Sequence, residues 1–186
     1  YLAPANVSGI VNLCKWASEG CMIACLNTAG RASFDDNISK ARINRTIWYV
    51  RFKPLYWARL VKEIKALIRK AERMGLTPVI RLNGTSDQPY ERIKIQGTEF
   101  DGLTLFEAFP DLRFYDYTKA TYSERPSIPN NYHLTYSYSE NTTPEIIAEN
   151  IQNGRNVAVV FNICKLGNKG KCHNKCSCPL PATWNG

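Results

Sequence analysis

Three cysteines near the start of the chain have the residue type and the spacing that could do chemistry. Cys14, Cys21 and Cys25 follow the pattern Cys-x6-Cys-x3-Cys, where x is any residue. Three thiolates with no fourth partner nearby can hold three irons of a 4Fe-4S cluster and leave the last iron open to a substrate. A structural zinc site needs four ligands, so zinc would take its fourth from elsewhere in the fold. We favour the iron–sulfur cluster, and the alternatives are zinc and buried or disulfide-bonded cysteines.

A second group of cysteines lies within residues 164–178. Its members are Cys164, Cys172, Cys176 and Cys178, and they enclose a basic loop that offers no apolar core. A metal held by four thiolates would organise such a loop, and we favour zinc slightly over an auxiliary iron–sulfur cluster or two disulfides. His173 lies inside this segment, and we interpret it as a bystander. Seven cysteines in two groups are more typical of metal chemistry in a reducing compartment than of a disulfide framework.

The overall composition sets the class of protein and of partner. The chain has 186 residues, 44% hydrophobic and 22% charged, which is typical of a soluble globular protein. Its net charge of +8 favours an anionic partner, with nucleic acid first; the alternative is that Lys and Arg only solvate exposed helix faces. No apolar run approaches about eighteen residues, so we expect no membrane span. The chain begins at Tyr1 rather than Met, and we interpret both ends as trimmed.

Hydrophobic periodicity predicts helices and strands that take turns along the chain. Residues 1–13 are expected to form a strand or an extended lead-in to Cys14, and residues 33–74 to be helical with a break near Pro54. The clearest helix spans residues 56–74, with Leu60, Ile64, Leu67, Ile68 and Ala71 on one face and Gly75 just beyond its end. Strands are predicted at 78–82, 112–117, 132–137 and 157–161, and helices at 103–109 and 144–153, the latter capped by Thr143. The last strand is the most hydrophobic, which predicts burial on both of its faces.

This alternation predicts an α/β fold made of parallel βα units. We expect a single β/α domain over residues 1–186, with a Cys-rich inserted loop at 164–178. The leading architecture is a partial or complete parallel β/α barrel, TIM-like, and an open doubly wound sheet is the alternative.

Polar residues follow each predicted strand, and the carboxyl ends of parallel strands share one rim of the fold. The loop at residues 83–87 follows the first strand, Asp116 and Lys119 close the second, Glu140 follows the third and Asn162 ends the fourth. We expect Asp87, Asp116, Lys119 and Glu140 to be catalytic contacts at this rim, beside the cysteine loop. The alternative is that these residues only build turns and caps.

Tyrosines accompany basic residues in the second half of the chain. Tyr115, Tyr117, Tyr122, Tyr132, Tyr136 and Tyr138 occur near Lys119 and Arg125. Aromatic rings with cations bind single-stranded nucleic acid, but packing between sheet and helices is the interpretation that we favour for the tyrosines.

Several segments together resemble a phage-associated family. They are the cysteine loop with Ala17-Ser18-x-Gly20-Cys21, the run Thr28-Ala29-Gly30-Arg31, and residues 81–87, 114–119 and 157–161. These segments are similar to the phage gene product eighty-eight proteins, a family with no assigned reaction. The cysteine loop is also similar to that of a second phage group, with Cys-x6-Cys-x2-Cys, that is regarded as radical-SAM-like.

The radical-SAM likeness implies a cofactor as well as a cluster. Cys14, Cys21 and Cys25 would hold a 4Fe-4S cluster at the mouth of a partial β/α barrel, and its open iron would bind S-adenosylmethionine. Asn83, Gly84, Thr85 and Ser86 are the nearest substitute for the Gly-Gly-Glu strand end that binds the methionine amino group, so they are the expected cofactor-binding residues. The cysteine spacing departs from the common Cys-x3-Cys-x2-Cys, and nothing in the resemblance covers residues 164–178.

These observations lead to one functional hypothesis and two alternatives. The hypothesis is a phage-encoded iron–sulfur protein in the host cytoplasm, with radical-SAM-like chemistry on a nucleotide, nucleic acid or protein target. One alternative is a non-catalytic nucleic-acid-binding protein with structural zinc sites, and the other is a virion or scaffold component with a degenerate enzyme fold.

Overall fold

A four-stranded, all-parallel β-sheet organises the chain. In this computed structural model, which describes residues 1–160, the strands are β1 (Val79–Ile80), β2 (Arg113–Thr118), β3 (Tyr132–Ser137) and β4 (Val157–Ala158). Their spatial order is β1-β2-β3-β4, the same as their order in sequence. The prediction of an α/β fold with parallel strands is confirmed, and the sheet is open across the described residues.

Helices precede the sheet and connect its strands. They are α1 (Glu19–Ile23), α2 (Asp36–Arg51), α3 (Lys53–Arg73), α4 (Leu105–Ala108) and α5 (Pro144–Gln152), with 3₁₀ turns at Leu26–Thr28, Gly30–Ser33 and Tyr90–Arg92. The regular alternation that the sequence predicts fails between β2 and β3, where residues 119–131 contain no helix. Pro126 and Pro129 interrupt this connection, and proline removes a helical hydrogen-bond donor.

The long helical region is divided as predicted, and its buried face differs from the predicted one in part. Helix α2 ends before Phe52, and Pro54 lies in the first turn of α3. Ile64 and Ala71 are buried as expected, but Leu67 is 39% exposed. Trp57 and Val61 take its place, because they lie on the same helical face as Ile64 at spacings of seven and three residues. Gly75 follows α3 with φ of +64°, the conformation expected of a residue just past a helix end.

The core lies between α3 and one face of the sheet. Trp57, Val61 and Ile64 belong to one buried cluster with Phe114 of β2 and Leu134 of β3. Each large apolar side chain buried in this way stabilises the fold by about 1.5–3 kcal/mol. This cluster fixes the orientation of the sheet relative to α3, and it thereby positions the loops at the ends of the strands.

Within residues 1–160, the opposite face of the sheet is partly exposed to solvent. Burial alternates strictly along β2, where Phe114 and Asp116 are buried and Tyr115 and Tyr117 are about two-fifths exposed. The expected double burial of the last strand is wrong over its described part, since Val157 and Ala158 are half-buried and Val160 is exposed. The core cluster covers only one face of the sheet. The apolar residues of β4 are therefore not buried on both sides, despite their composition. Phe161, the last residue of the predicted strand, lies outside the described residues.

The first thirteen residues form turns rather than a strand. Leu2 and Leu13 are buried in the core, and the Ala3 N–H donates to Thr46 Oγ1 of α2 at 2.8 Å. The Asp87 N–H donates to the Leu13 carbonyl oxygen at 2.9 Å. These contacts deliver Cys14 to the loop that follows β1. The helices of residues 1–160 include none that is both long enough and apolar enough for a membrane span.

Candidate functional site

The cysteine loop is anchored to the sheet by one carboxylate. Helix α1 contains Cys21, and its N-cap residue Ser18 accepts a hydrogen bond from the Cys21 N–H at 3.2 Å. Glu140, which follows β3, accepts from the Gly20 N–H at 2.6 Å and from Ser18 Oγ at 2.9 Å. The Gly20 N–H lowers the pKa of Glu140, with Ser18 as a smaller cause, so the carboxylate is ionised at neutral pH. Glu140 therefore fixes the position of the loop relative to the sheet.

Three free thiols line one cavity. Cys14, Cys21 and Cys25 are half-buried and not cross-linked, and they line a cavity of about 400 Å³. The remaining wall comes from the N-terminal turn and from the α1 region, including Ala5 and Asn27. The structure thus brings together the three cysteines that the sequence singled out.

The thiols are held by backbone groups in this structure. Cys14 Sγ accepts from the Ala5 N–H at 3.2 Å and donates to the Thr85 carbonyl oxygen at 3.7 Å, while Cys25 Sγ accepts from the Asn27 N–H at 3.4 Å. Burial raises the pKa of Cys14 to about 11, and it also raises that of Cys21, against the opposing effect of Lys119. Both groups are therefore protonated at neutral pH unless a cation binds to them.

Three of the four predicted polar clusters meet at the carboxyl ends of the strands. Asp87 Oδ2 accepts from the Lys119 N–H at 2.9 Å, which joins the ends of β1 and β2. Lys119 Nζ donates to the carbonyl oxygens of Ser137 at 2.9 Å and Tyr138 at 2.6 Å, which joins β2 to β3. Asn162, the fourth cluster, lies outside the described residues. The parallel arrangement of strands accounts for this meeting point.

The loop after β1 uses its polar atoms internally. Asn83 is buried, and its Oδ1 accepts from Ser86 Oγ at 2.9 Å and from the Gln88 N–H at 2.8 Å. Thr85 Oγ1 donates to the Leu2 carbonyl oxygen at 2.6 Å. The Tyr1 ring packs against Gly84, where a Cβ atom would lie 2.3 Å from the ring. In this structure, the residues expected to bind a cofactor shape the loop that carries Asp87.

Asp116 lies beneath this loop rather than at its surface. It is 1% exposed, and it accepts from the Asn83 N–H at 2.8 Å and from the Tyr132 hydroxyl at 3.0 Å. Burial raises the pKa of Asp116 to about 6, against the opposing effects of these two donors and of Arg81. The carboxyl group therefore changes its charge close to neutral pH.

A buried ion network connects the rim to the core, and no local sequence pattern indicates it. Arg125 is fully buried; its Nη1 donates to Asp87 Oδ1 at 3.1 Å, and its Nε and Nη2 donate to Glu91 at 2.9 and 2.6 Å. Burial raises the pKa of Asp87, and Arg125 opposes this shift most strongly. Arg125 is one of the two basic residues near the tyrosines in sequence, and its burial places it out of reach of a nucleic acid. Glu91 lies 34 residues away in sequence, a separation that no periodic pattern detects.

The residue types around the cavity suit a metal or an iron–sulfur cluster, but the described side chains are not positioned to coordinate one in this structure. Three thiols on one cavity are the ligands that an iron–sulfur cluster takes. Within residues 1–160, however, no group of three or more His, Cys, Asp or Glu side chains is arranged to hold a metal ion. Cys164, Cys172, Cys176 and Cys178 lie outside the described residues.

Fold and site together define a parallel α/β protein with a thiol-lined cavity in its N-terminal segment, linked to the carboxyl rim of the sheet through Thr85 and Glu140. The family model described as Gene product 88 matches residues 1–170, and the chain belongs to this family. The resemblance to the phage gene product eighty-eight proteins is thereby confirmed. The match makes no statement about radical-SAM chemistry. No curated protein and no solved structure shows significant similarity to the chain.

Proposed function

We propose that this protein is a phage iron–sulfur protein with radical-SAM-like activity, in which Cys14, Cys21 and Cys25 hold a 4Fe-4S cluster. The observation that supports the proposal most directly is the convergence of three free thiols on one cavity of about 400 Å³. A set of three thiolates leaves one iron without a protein ligand, which is the arrangement that substrate or cofactor binding requires.

Cluster binding would require the cysteine loop to close. Cys14 would exchange its contacts to Ala5 and Thr85 for a metal bond, and the thiols would lose their protons as the cluster binds. The loop contains only short helical pieces, α1 and two 3₁₀ turns, so small backbone changes can reorient the thiols. The raised pKa of Cys14 sets a free-energy cost that the metal–sulfur bonds must offset.

The architecture favours a partial β/α barrel for this activity. The strands occur in space in the order of the chain, as neighbouring strands of such a barrel do, and the core cluster lies on one face of the sheet. The thiol cavity adjoins the carboxyl rim, because Cys14 contacts Thr85 after β1 and Glu140 after β3 anchors α1. Active sites of β/α barrels occupy this rim.

The chain's own residues would hold the cysteine loop and balance its charge. A bound cluster would supply the electron for reductive cleavage of S-adenosylmethionine, which yields a radical able to abstract hydrogen from a target. Glu140 would fix α1, and the Lys119 ammonium, which favours the thiolate form of Cys21, would partly balance the negative charge of the thiolates. Asp87 would position Lys119 by accepting a hydrogen bond from its backbone. Asp116 would support the loop at residues 83–87 from below through its contact with Asn83.

Metal and sulfide content per chain tests this proposal. After anaerobic reconstitution, the wild type is expected to contain about four irons and four sulfides, and Cys21→Ser to lose most of both. Cys176→Ser is the matched control, because it removes one thiol from the second cysteine group and should leave the iron in place. Zinc alone in all three proteins would reject the iron–sulfur proposal and favour structural zinc.

A further inference from the structure

The face of the sheet opposite the core is aromatic and open. Tyr115 and Tyr117 project from β2 with exposed fractions of 40% and 42%. Parallel sheets are normally covered on both faces, and such a covered face consists mainly of aliphatic residues. Here two tyrosines occupy the centre of the exposed face. The composition of this face therefore differs from that of a sheet face that packs against a helix.

Positive charge surrounds the two rings. Arg113 is exposed on the same face of β2, and the Arg81 guanidinium lies 5.0 Å from the centroid of the Tyr117 ring. His133 is exposed opposite Tyr115 on β3. Among residues 79–137, the strand positions on this face include no Asp or Glu. The face therefore combines flat rings with cations.

We propose that this sheet face binds single-stranded nucleic acid through base stacking on Tyr115 and Tyr117. Arg113 would pair with the phosphates, while Arg81, whose Nε lies 3.9 Å from Asp116 Oδ1, would add positive charge beside the Tyr117 ring. The inference names the target class for the proposed function and rests on it in that respect, although the binding itself needs no cluster.

The spacing of the rings fits an unpaired strand. Residues two apart on one face of a strand are separated by about 6.6 Å. This spacing is roughly twice the 3.4 Å rise per nucleotide of a stacked nucleic-acid strand. Each tyrosine ring can therefore stack on its own base once the nucleic acid is extended. Bases in a duplex present only their edges, so stacking of this kind selects single strands.

Charge separates this partner from a second copy of the chain. Two copies of the face would bring Arg81 and Arg113 against the same cations, and like charges across an interface are unfavourable. A polyanion gains from these cations, and the net charge of +8 strengthens its approach.

Fluorescence anisotropy with labelled 12-nucleotide oligo(dT) and oligo(rU) tests the surface. Tyr117→Ala and Tyr115→Ala are each expected to raise Kd roughly 5- to 150-fold, the range for loss of one stacked base. Tyr117→Phe keeps the ring and should bind within about twofold of the wild type. A duplex of the same length should bind more weakly than either single strand.

A charge reversal on each side of the molecule provides the matched control. Arg113→Glu should raise Kd and reduce the dependence of Kd on salt, because a phosphate contact is lost. Arg69→Glu makes the same charge change at an exposed position of α3 and should leave Kd within about twofold.

The proposal fails if the tyrosine variants bind like the wild type or if both charge reversals weaken binding equally. It also fails if the wild type binds no single strand but forms a concentration-dependent dimer that Tyr117→Ala abolishes. Cys21→Ser separates this inference from the iron–sulfur proposal, since it should lose the cluster and keep the nucleic-acid affinity. If the protein binds nucleic acid but never takes up iron, the result would support nucleic-acid binding by this surface and reject only the iron–sulfur proposal.

Discussion

The Arg125 guanidinium is surrounded by protein, and two carboxyl groups accept hydrogen bonds from it. Asp87 and Glu91 accept from it within 3.1 Å, and Trp16 lies over it with the ring centroid 5.7 Å away. Removal of one partner from such a buried ion pair lowers stability more than replacement of the whole pair by apolar residues, because the remaining charges stay buried. Arg125 therefore supports the site from below by holding Asp87 in place.

Removal of the guanidinium should destabilise the protein strongly. Arg125→Met leaves Asp87 and Glu91 buried without their cation, and the free energy of unfolding should fall by about 3–5 kcal/mol. Urea denaturation measures this change. Arg59→Met is the control, since its pair with Glu63 on α3 is exposed and should contribute no more than about 0.5 kcal/mol. Equal losses in the two variants would contradict the assigned role of Arg125.

Asp116 should make stability depend on pH. Its pKa rises from the ordinary 3.8 to about 6 in the folded chain, so folding favours the protonated form. The stability gained in this way is fully present below pH 3.8 and is lost as pH rises through 6. The loss amounts to about 3 kcal/mol for a shift of this size.

Comparison with Asp116→Asn isolates this contribution. Between pH 4 and pH 7, the wild type should lose about 2.4 kcal/mol more stability than the variant, measured by urea denaturation at each pH. Parallel pH profiles for the two proteins would show that Asp116 does not titrate in this range.

The positions of Asp87 and Asp116 near strand ends were predictable, but their partners were not. Asp87 follows β1 and Asp116 lies near the carboxyl end of β2, and the rule that points to such positions depends only on the order of elements. The partners come from distant parts of the chain: Arg125 lies 38 residues after Asp87, and Tyr132 lies 16 residues after Asp116. No spacing rule links such positions before the chain is folded.

At the level of elements, the contact between α1 and the end of β3 controls the cysteine loop. A Cβ atom on Gly20 would lie 2.9 Å from both carboxylate oxygens of Glu140, so even a methyl group must displace the anchor. Helix α1 and the segment after β3 are thus coupled through Gly20 and Glu140, in addition to the contact of Cys14 with Thr85.

Loosening this contact should expose Cys21. Gly20→Ala and Glu140→Gln are both expected to increase the rate of Cys21 alkylation several-fold, because α1 loses a charge-assisted hydrogen bond to Glu140. Mass spectrometry after a timed iodoacetamide pulse measures the rate. Glu145→Gln on α5 is the matched control, as it removes an exposed carboxylate away from the loop. Unchanged alkylation in the first two variants would show that Glu140 does not hold the loop.

Elements with strong local signals were predicted well, and those set by tertiary contacts were not. Strand β3 occupies the predicted residues 132–137, and α5 begins after its Thr143 cap with Pro144 in its first turn. The predicted strand at 78–82 is reduced to Val79–Ile80, because pairing with β2 at two positions defines its length. Burial of β4 depends on what covers the sheet, which its own apolar residues do not determine.

For the whole molecule, the parallel sheet separates three tasks. One face carries the core, the carboxyl rim contacts the segment that contains the thiol cavity, and the other face presents tyrosines and cations. The α/β class and the meeting of polar clusters at the rim were predictable, since both follow from the alternation of elements. The exposure of Tyr115 and Tyr117 was not predicted, because tyrosine rings also pack between sheets and helices and their residue type does not distinguish the two environments.

An open iron is the central claim of this account, and electron paramagnetic resonance of the reduced protein tests it most directly. The spectrum depends on what coordinates each iron, so an iron without a protein ligand responds to an added one. We expect S-adenosylmethionine to shift the spectrum of the anaerobically reconstituted wild type, and adenosine, which lacks the amino and carboxylate groups, to leave it unchanged. A cluster signal that is identical with and without S-adenosylmethionine would contradict the account.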